Sequence, residues 1–212
     1  RVPGVFSNYA IDRTRACSQS PSPSYLDLTG QVGMFLDDFD LAPADALYVV
    51  FIGGNDVRDA LANQDPALIG CALFSINSNL MALIDAGART FLVANAPNLG
   101  QVPAVALLGE EARTAATEAS FFFNQQLEVI LSGIETAYGG QVSFYRINTF
   151  DLITQASINH PDLNVEDPCI DIFAGTVCAP AKNYLFWDGI HPTVAGHALI
   201  TEEAASVLGL SQ

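Results

Sequence analysis

The sequence predicts a three-layer α/β/α sandwich around a central parallel sheet, and three observations carry that prediction. Ala46 to Ile52 is an unbroken apolar run ending at Gly53-Gly54, as expected of a parallel strand covered on both faces. Two further apolar runs, Thr90 to Ala94 and Val142 to Ile147, follow it. The intervals between these runs carry helical periodicity, and strands separated in this way pair in parallel through βαβ crossovers that set helices on both faces of the sheet.

The elements follow in order. Ser18 to Ser24 is a Ser/Pro-rich patch read as a surface loop. After the first strand, Pro66 to Ala86 carries Leu68, Ile69, Ala72, Leu73, Ile76, Leu80, Leu83 and Ile84 on one helical stripe, opened by a proline and closed by Gly87. A second long helical pattern runs from about Gly109 to Tyr138 and stops at Gly139-Gly140, and a last helix spans roughly Val194 to Leu208. With no internal repeat or linker, 1–212 reads as a single domain.

Composition narrows the function classes. Hydrophobic residues make up 50% and charged residues 15% of the chain, which excludes intrinsic disorder. Apolar runs such as Ala46 to Ile52 are too short to cross a bilayer, so no integral membrane segment is expected. A formal charge of -15, with Lys182 the only lysine, argues against nucleic acid and anionic membranes as partners. A neutral or cationic substrate is easier to accept.

The cysteines are Cys17, Cys71, Cys169 and Cys178, and none forms a Cys-x-x-Cys pair. Cys169 and Cys178 flank a short segment containing Ala174-Gly175-Thr176 that a disulfide can close, which leaves Cys17 to pair with Cys71. Four buried free thiols are the other reading. The disulfide reading implies a secreted protein whose targeting segment has been removed.

Two clusters carry chemistry. Phe186-Trp187-Asp188-Gly189-Ile190-His191-Pro192-Thr193 places an acid three residues before a histidine in a turn that leads into the last helix. A catalytic base needs one ring nitrogen held by an acceptor so that the other can take a proton, and Asp188 with His191 supply that pair locally. The second cluster, Gly53-Gly54-Asn55-Asp56, lies where a parallel sheet presents its chemistry, at a strand's carboxyl end. Its glycines permit close backbone approach, and the Asn55 amide is a neutral donor for a developing oxyanion. It reads equally as a turn cap or the start of a helix. No Gly-x-Ser-x-Gly elbow occurs.

Gly-x-Asn-Asp after a central strand and Asp-x-x-His-Pro before the last helix resemble blocks III and V of the SGNH, or GDSL, hydrolases, a family of esterases and lipases. Asn8-Tyr9-Ala10 is similar to the opening of block II, and Leu92 to Gly100 to the strand and loop of the secreted branch. The resemblance covers essentially the whole chain. It implies a flavodoxin-like sandwich in which a block I serine attacks an ester, His191 is the base, Asp188 orients it, and Asn55 with backbone amides forms the oxyanion hole. Gly53 and Arg13 are the further oxyanion or substrate-binding positions. Arg13 stands in Asp12-Arg13-Thr14-Arg15, where the secreted branch usually has glycine, and a non-glycine residue does not readily take a positive φ.

The family's nucleophile turn should precede block II by several tens of residues, where only Arg1 to Ser7 stand. The expected fold therefore lacks its first strand. Three accounts stay open: the nucleophile belongs to a longer polypeptide's N-terminal segment; Arg1 to Ala10 fills the slot, with Ser7 or one of Ser18, Ser20, Ser22 and Ser24 as nucleophile; or the chain is a non-catalytic binding domain. The expected activity is a secreted, serine-type hydrolase of small-molecule or lipid esters, with no cofactor and no metal. A site from Asp188, His191 and His197 is set aside because His197 falls on the final helix. His160 reads as a surface residue, Trp187 as pocket or core wall, and Phe121-Phe122-Phe123 as helix packing.

Overall fold

A computed structural model describes residues 6–18, 27–171 and 175–210. The expectations placed on Ser20, Ser22 and Ser24 and on residues 1–5 and 174 lie outside the described residues. The first half of the fold runs α1 (Leu28–Asp38), β1 (Leu47–Phe51), α2 (Gly54–Asn63), α3 (Ala67–Asp85) and β2 (Thr90–Ala94). A 3-10 turn (Leu99–Gln101), α4 (Pro103–Ala106), α5 (Glu110–Ala137), β3 (Ser143–Ile147), α6 (Thr149–Thr154) and α7 (Ala156–Asn159) follow. The chain ends through β4 (Asn164–Pro168), β5 (Ile170–Asp171), β6 (Thr176–Val177), β7 (Tyr184–Phe186) and α8 (Val194–Val207).

The three predicted strands form one parallel sheet in the order β1-β2-β3, with Val49, Leu92 and Tyr145 in register. Side chains alternate across a strand. One face therefore presents Tyr48, Val50, Phe91, Val93 and Phe144 to α1, α3 and α5 in the main core. Phe35, Tyr48, Phe91 and Phe144 make a continuous ring ladder there, with centroids 5.7, 5.5 and 5.0 Å apart. The other face presents Leu92, Ala94 and Ile147 to Ile200, Ala204, Val207 and Leu208 of or just beyond α8. Helices on both faces make the three layers.

β1 does not share that cover. Leu47, Val49 and Phe51, which occupy the α8 face, are 42%, 62% and 53% exposed, whereas β2 is almost wholly buried. Among the described residues no strand pairs with the outer edge of β1. An open edge carrying a bare apolar face is unusual for a parallel sheet, whose strands are normally covered on both sides.

α3 is long and apolar enough to cross a bilayer by length and composition. Here Ile69, Ala72, Leu73, Ile76, Leu80, Leu83 and Ile84 pack into the core instead. α1 was not legible as a helix, and α2 only as one of the two readings of Asn55-Asp56. α2 is polar along most of Gly54–Asn63, and α1 is short, opening on Asp27, whose carboxylate accepts from the Gly30 amide at 2.8 Å. The phenylalanine run divides: Phe123 is buried, while Phe121 and Phe122 are about half exposed, so only one of the three packs as expected. Both disulfides pair as read, Cys17 with Cys71 and Cys169 with Cys178.

Candidate functional site

The carboxyl end of β1 builds one half of the site. Gly53 caps α2 with φ 109°, and a Cβ there would stand 2.3 Å from the Phe123 ring, so the chain turns from strand to helix only on glycine. The turn sets Asn55 and Asp56 in the first helical turn, against residues 11–17. The Asn55 side-chain amide donates to the Thr14 carbonyl at 2.8 Å. A primary amide has two N–H groups, so one remains for a ligand. The Asp56 carboxylate accepts from the amides of Ala16 at 2.9 Å and Cys17 at 2.8 Å. One turn on, Asp59 pairs with Arg15 and Arg58, and the Cys17–Cys71 bond ties the same loop to α3.

These contacts hold Arg13 at φ 59°, the left-handed region that its position takes in spite of being non-glycine. The sequence argued against that conformation; the surrounding bonds impose it. Left-handed backbone costs a side-chain-bearing residue about 1–2 kcal/mol and persists only where its surroundings over-determine it. Thr14 Oγ1 donating to Ile11 O at 3.0 Å and Arg15 donating to Arg13 O at 3.4 Å close the turn.

The other half is local. β7 delivers Trp187, and Trp187 N donates to His191 O at 2.7 Å. Within that turn Asp188 Oδ1 accepts from the amides of Ile190 at 2.9 Å and His191 at 2.8 Å. Its Oδ2 lies 2.7 Å from His191 Nδ1, which fixes that nitrogen as the donor of the pair and leaves Nε2 to accept a proton. Burial pushes the Asp188 carboxyl up, but the two amides and the imidazole outweigh it and hold it below the usual carboxylate value. Thr193 seats the turn: its hydroxyl donates to Tyr184 O at 2.5 Å and accepts from the first amides of α8. Behind the turn, the hairpin closed by Cys169–Cys178 bonds to it, through Cys169 N to Phe186 O at 2.9 Å and Ile170 N to Trp187 O at 2.8 Å.

The segment after β2 lies between the halves. Pro97 sits against Gly54, and Ala104 N donates to Gly189 O at 2.9 Å. The structure thus joins Asp188 to His191, and Asn55 and Gly53 to the Arg13 loop, while the two halves meet through residues 97–104 without a hydrogen bond between Asn55 and His191. Ser7 is exposed, and Tyr9 beside it donates to Asp38 Oδ2 at 2.7 Å at the far end of α1 from Arg15, whose carbonyl accepts from Leu28 N. Among the described residues no serine hydroxyl bonds to His191. His197 is exposed on α8, and Trp187 is 40% exposed beside Asp188.

Sequence reasoning missed the clamp formed by Asp56, Asp59 and Arg15. Its signal was the charged pattern Arg15 and Asp56-x-x-Asp59, which has meaning only once the two segments are known to touch. The carboxylates differ in environment. Burial pushes Asp56 above the usual carboxylate value, the amides of Ala16 and Cys17 opposing it only in part. Burial also pushes Asp59 up, but Arg15 and Arg58 outweigh it and hold that group below its usual value.

The GDSL-like lipase/acylhydrolase family model matches residues 4–204. An uncharacterized protein in the trpE-trpG intergenic region of Pseudomonas putida is 31% identical over 98% of this chain and 37% of its own length. The thermolabile hemolysin of Vibrio parahaemolyticus is 27% identical over 84% of this chain and 47% of its own length. A GDSL esterase/lipase of Arabidopsis thaliana is 24% identical over 76% of this chain and 50% of its own length. The chain thus spans between about a third and a half of the length of these relatives.

Proposed function

The chain belongs to the GDSL-like lipase/acylhydrolase family, and from that membership we propose that it carries the base and the oxyanion donors of a secreted, serine-type carboxylic ester hydrolase. In this reading His191 Nε2 takes the proton from a serine hydroxyl as it attacks the ester carbonyl, forming the tetrahedral intermediate. The imidazolium then protonates the alcohol oxygen as its bond to the carbonyl carbon breaks, leaving the acyl-enzyme, and water hydrolyses that ester by the same relay. Asp188 fixes the ring and stabilises its charged form. Asn55, with amides of Gly53 or the Arg13 loop, receives the negative charge on the tetrahedral oxygen, and one such donor is typically worth about 3 kcal/mol of barrier. The substrate is a small-molecule or lipid ester, and the two disulfides support an oxidising, extracellular location.

The observation that carries the reading is the Asp188–His191 pair at 2.7 Å in a turn seated by Thr193 and by the disulfide-closed hairpin. The nucleophile is assigned to a segment of a longer polypeptide that docks a strand on the open edge of β1, within a single domain completed by that segment. The bare Leu47, Val49 and Phe51 face supports this assignment. The second reading, a non-catalytic binding domain, draws on the absence of a serine hydroxyl at His191 among the described residues.

Fluorophosphonate treatment of the 212-residue chain, followed by peptide mass spectrometry, decides where the nucleophile lies. The expected result is a folded, unlabelled chain, with labelling of a serine in a longer form that hydrolyses esters. A label on Ser7 or within Ser18 to Ser24 refutes the external nucleophile, and a longer form that neither labels nor hydrolyses any ester favours the binding domain.

A further inference from the structure

We propose that Asp56 is the positioning residue of the oxyanion loop, setting the backbone of residues 13–17 through the two amides it binds; its catalytic meaning rests on the hydrolase reading above. Asp56 is 2% exposed, and each of its carboxylate oxygens takes one of two consecutive amides, Ala16 and Cys17. A buried carboxylate is costly unless paired or fully hydrogen-bonded. The basic side chain nearest to it in sequence contact, Arg15, is turned instead to Asp59. Asp56 therefore holds a charge in the interior chiefly against backbone N–H groups. That is a poor way to gain stability and a good way to fix a loop.

Asn55 completes the arrangement by binding the carbonyl of Thr14. Two adjacent side chains of α2 thus grip three peptide groups, one acceptor and two donors, immediately after the left-handed Arg13. The direction in which the Arg13 and Thr14 amides point follows from that grip. An asparagine at 56 offers only one acceptor oxygen and turns an NH2 group toward the second amide, so Asp56→Asn releases one of the two bonds with little change in volume.

The charged groups around Asp56 are Arg15 on the loop and Arg58 and Asp59 on α2. α3 carries no charged side chain before Asp85. α5 presents Ala116, Ser120, Phe123 and Leu127 to the core, none of which titrates. The Ala16 and Cys17 amides are accordingly the contacts through which Asp56 acts on the loop.

The test is amide exchange by NMR on the 212-residue chain, wild type and Asp56→Asn, at one pH. In Asp56→Asn the protection of Ala16 and Cys17 should fall by about 10- to 100-fold below wild type, the scale of a charge-assisted hydrogen bond lost. Amides of β2 and α5 should not follow. Protection at Ala16 and Cys17 that is unaltered by the substitution, or lost together with β2 and α5, overturns the proposal. Should the variant not fold, the wild type alone decides: Ala16 and Cys17 amides that exchange unprotected overturn the proposal. None of this needs turnover, so a chain that hydrolyses no ester defeats the hydrolase reading and leaves this test standing. In a form that does hydrolyse esters, Asp56→Asn should lower kcat with KM nearly unchanged, and an effect on KM alone would sever the loop from the oxyanion.

Discussion

The two halves of the site are fixed by contacts of opposite range. Asp188 and His191 are three residues apart, and apart from the Ala104 amide on Gly189 O the bonds that shape their turn come from that turn, from the adjoining β7 or from the hairpin closed by Cys169–Cys178. The half proposed to form the oxyanion hole joins Asn55, Asp56 and Asp59 to residues 39 to 44 positions away, and a disulfide spans 54. A base and its orienter can be preassembled by a few residues of chain. An oxyanion hole has to be assembled from separate segments, because its donors converge on a point that neither segment contains. The local half therefore survives partial loss of the fold better than the long-range half.

Substitution at the local half has the larger expected effect. In an ester-hydrolysing form of the protein, His191→Ala should reduce kcat by several orders of magnitude, on the order of the 10³- to 10⁶-fold losses seen when such a base is removed, with the circular dichroism spectrum unchanged. An unaltered rate would remove His191 from the mechanism and the comparison with it. Asn55→Ala strikes the long-range half and should cost about 10²- to 10³-fold in kcat while KM moves little, because a donor to a developing oxyanion acts in the transition state. A change confined to KM would make Asn55 a substrate-binding residue. The substitution also removes the bond to Thr14, so residues 13–17 should lose amide protection in the same variant.

The same contrast explains what could be read from the chain. Asp188-x-x-His191 was legible because its geometry is contained in its spacing, and β1, β2 and β3 because short runs rich in apolar residues, set between helical patterns, read as strands. Gly53 to Asp56 was legible as a site only in part. Its tetrapeptide also fits a helix start, and α2 does begin at Gly54. Arg13 was the instructive case. Local propensity opposes a left-handed arginine, and only the contacts of Asn55, Asp56, Asp59 and Cys71, all distant in sequence, reverse that preference. The bare face of β1 was likewise illegible, since its alternating residues are as apolar as those of a covered strand. Exposure depends on what the rest of the polypeptide lays over it.

Acid should separate the halves with the smallest but most diagnostic effect. Asp188 is held below its usual carboxylate value in the fold. Its contribution to stability is therefore complete above the unfolded value and is lost as pH falls through the lowered folded value. Asp56 is pushed above its usual value by burial. Its contribution is complete below the unfolded value and is lost as pH rises through the raised folded value. The two carboxylates must then bend the stability curve in opposite directions between strongly acid and neutral pH. Urea unfolding across that range, on the wild type, Asp188→Asn and Asp56→Asn, measures this directly. The stability lost in Asp188→Asn should grow with pH, and that lost in Asp56→Asn should shrink. Slopes of the same sign would mean that Asp56 is ionised at no cost, in which case its two amide bonds, and not its burial, govern it. Opposite slopes would mean that acidification removes the contribution of Asp188 while that of Asp56 is retained, so the local half of the site fails first.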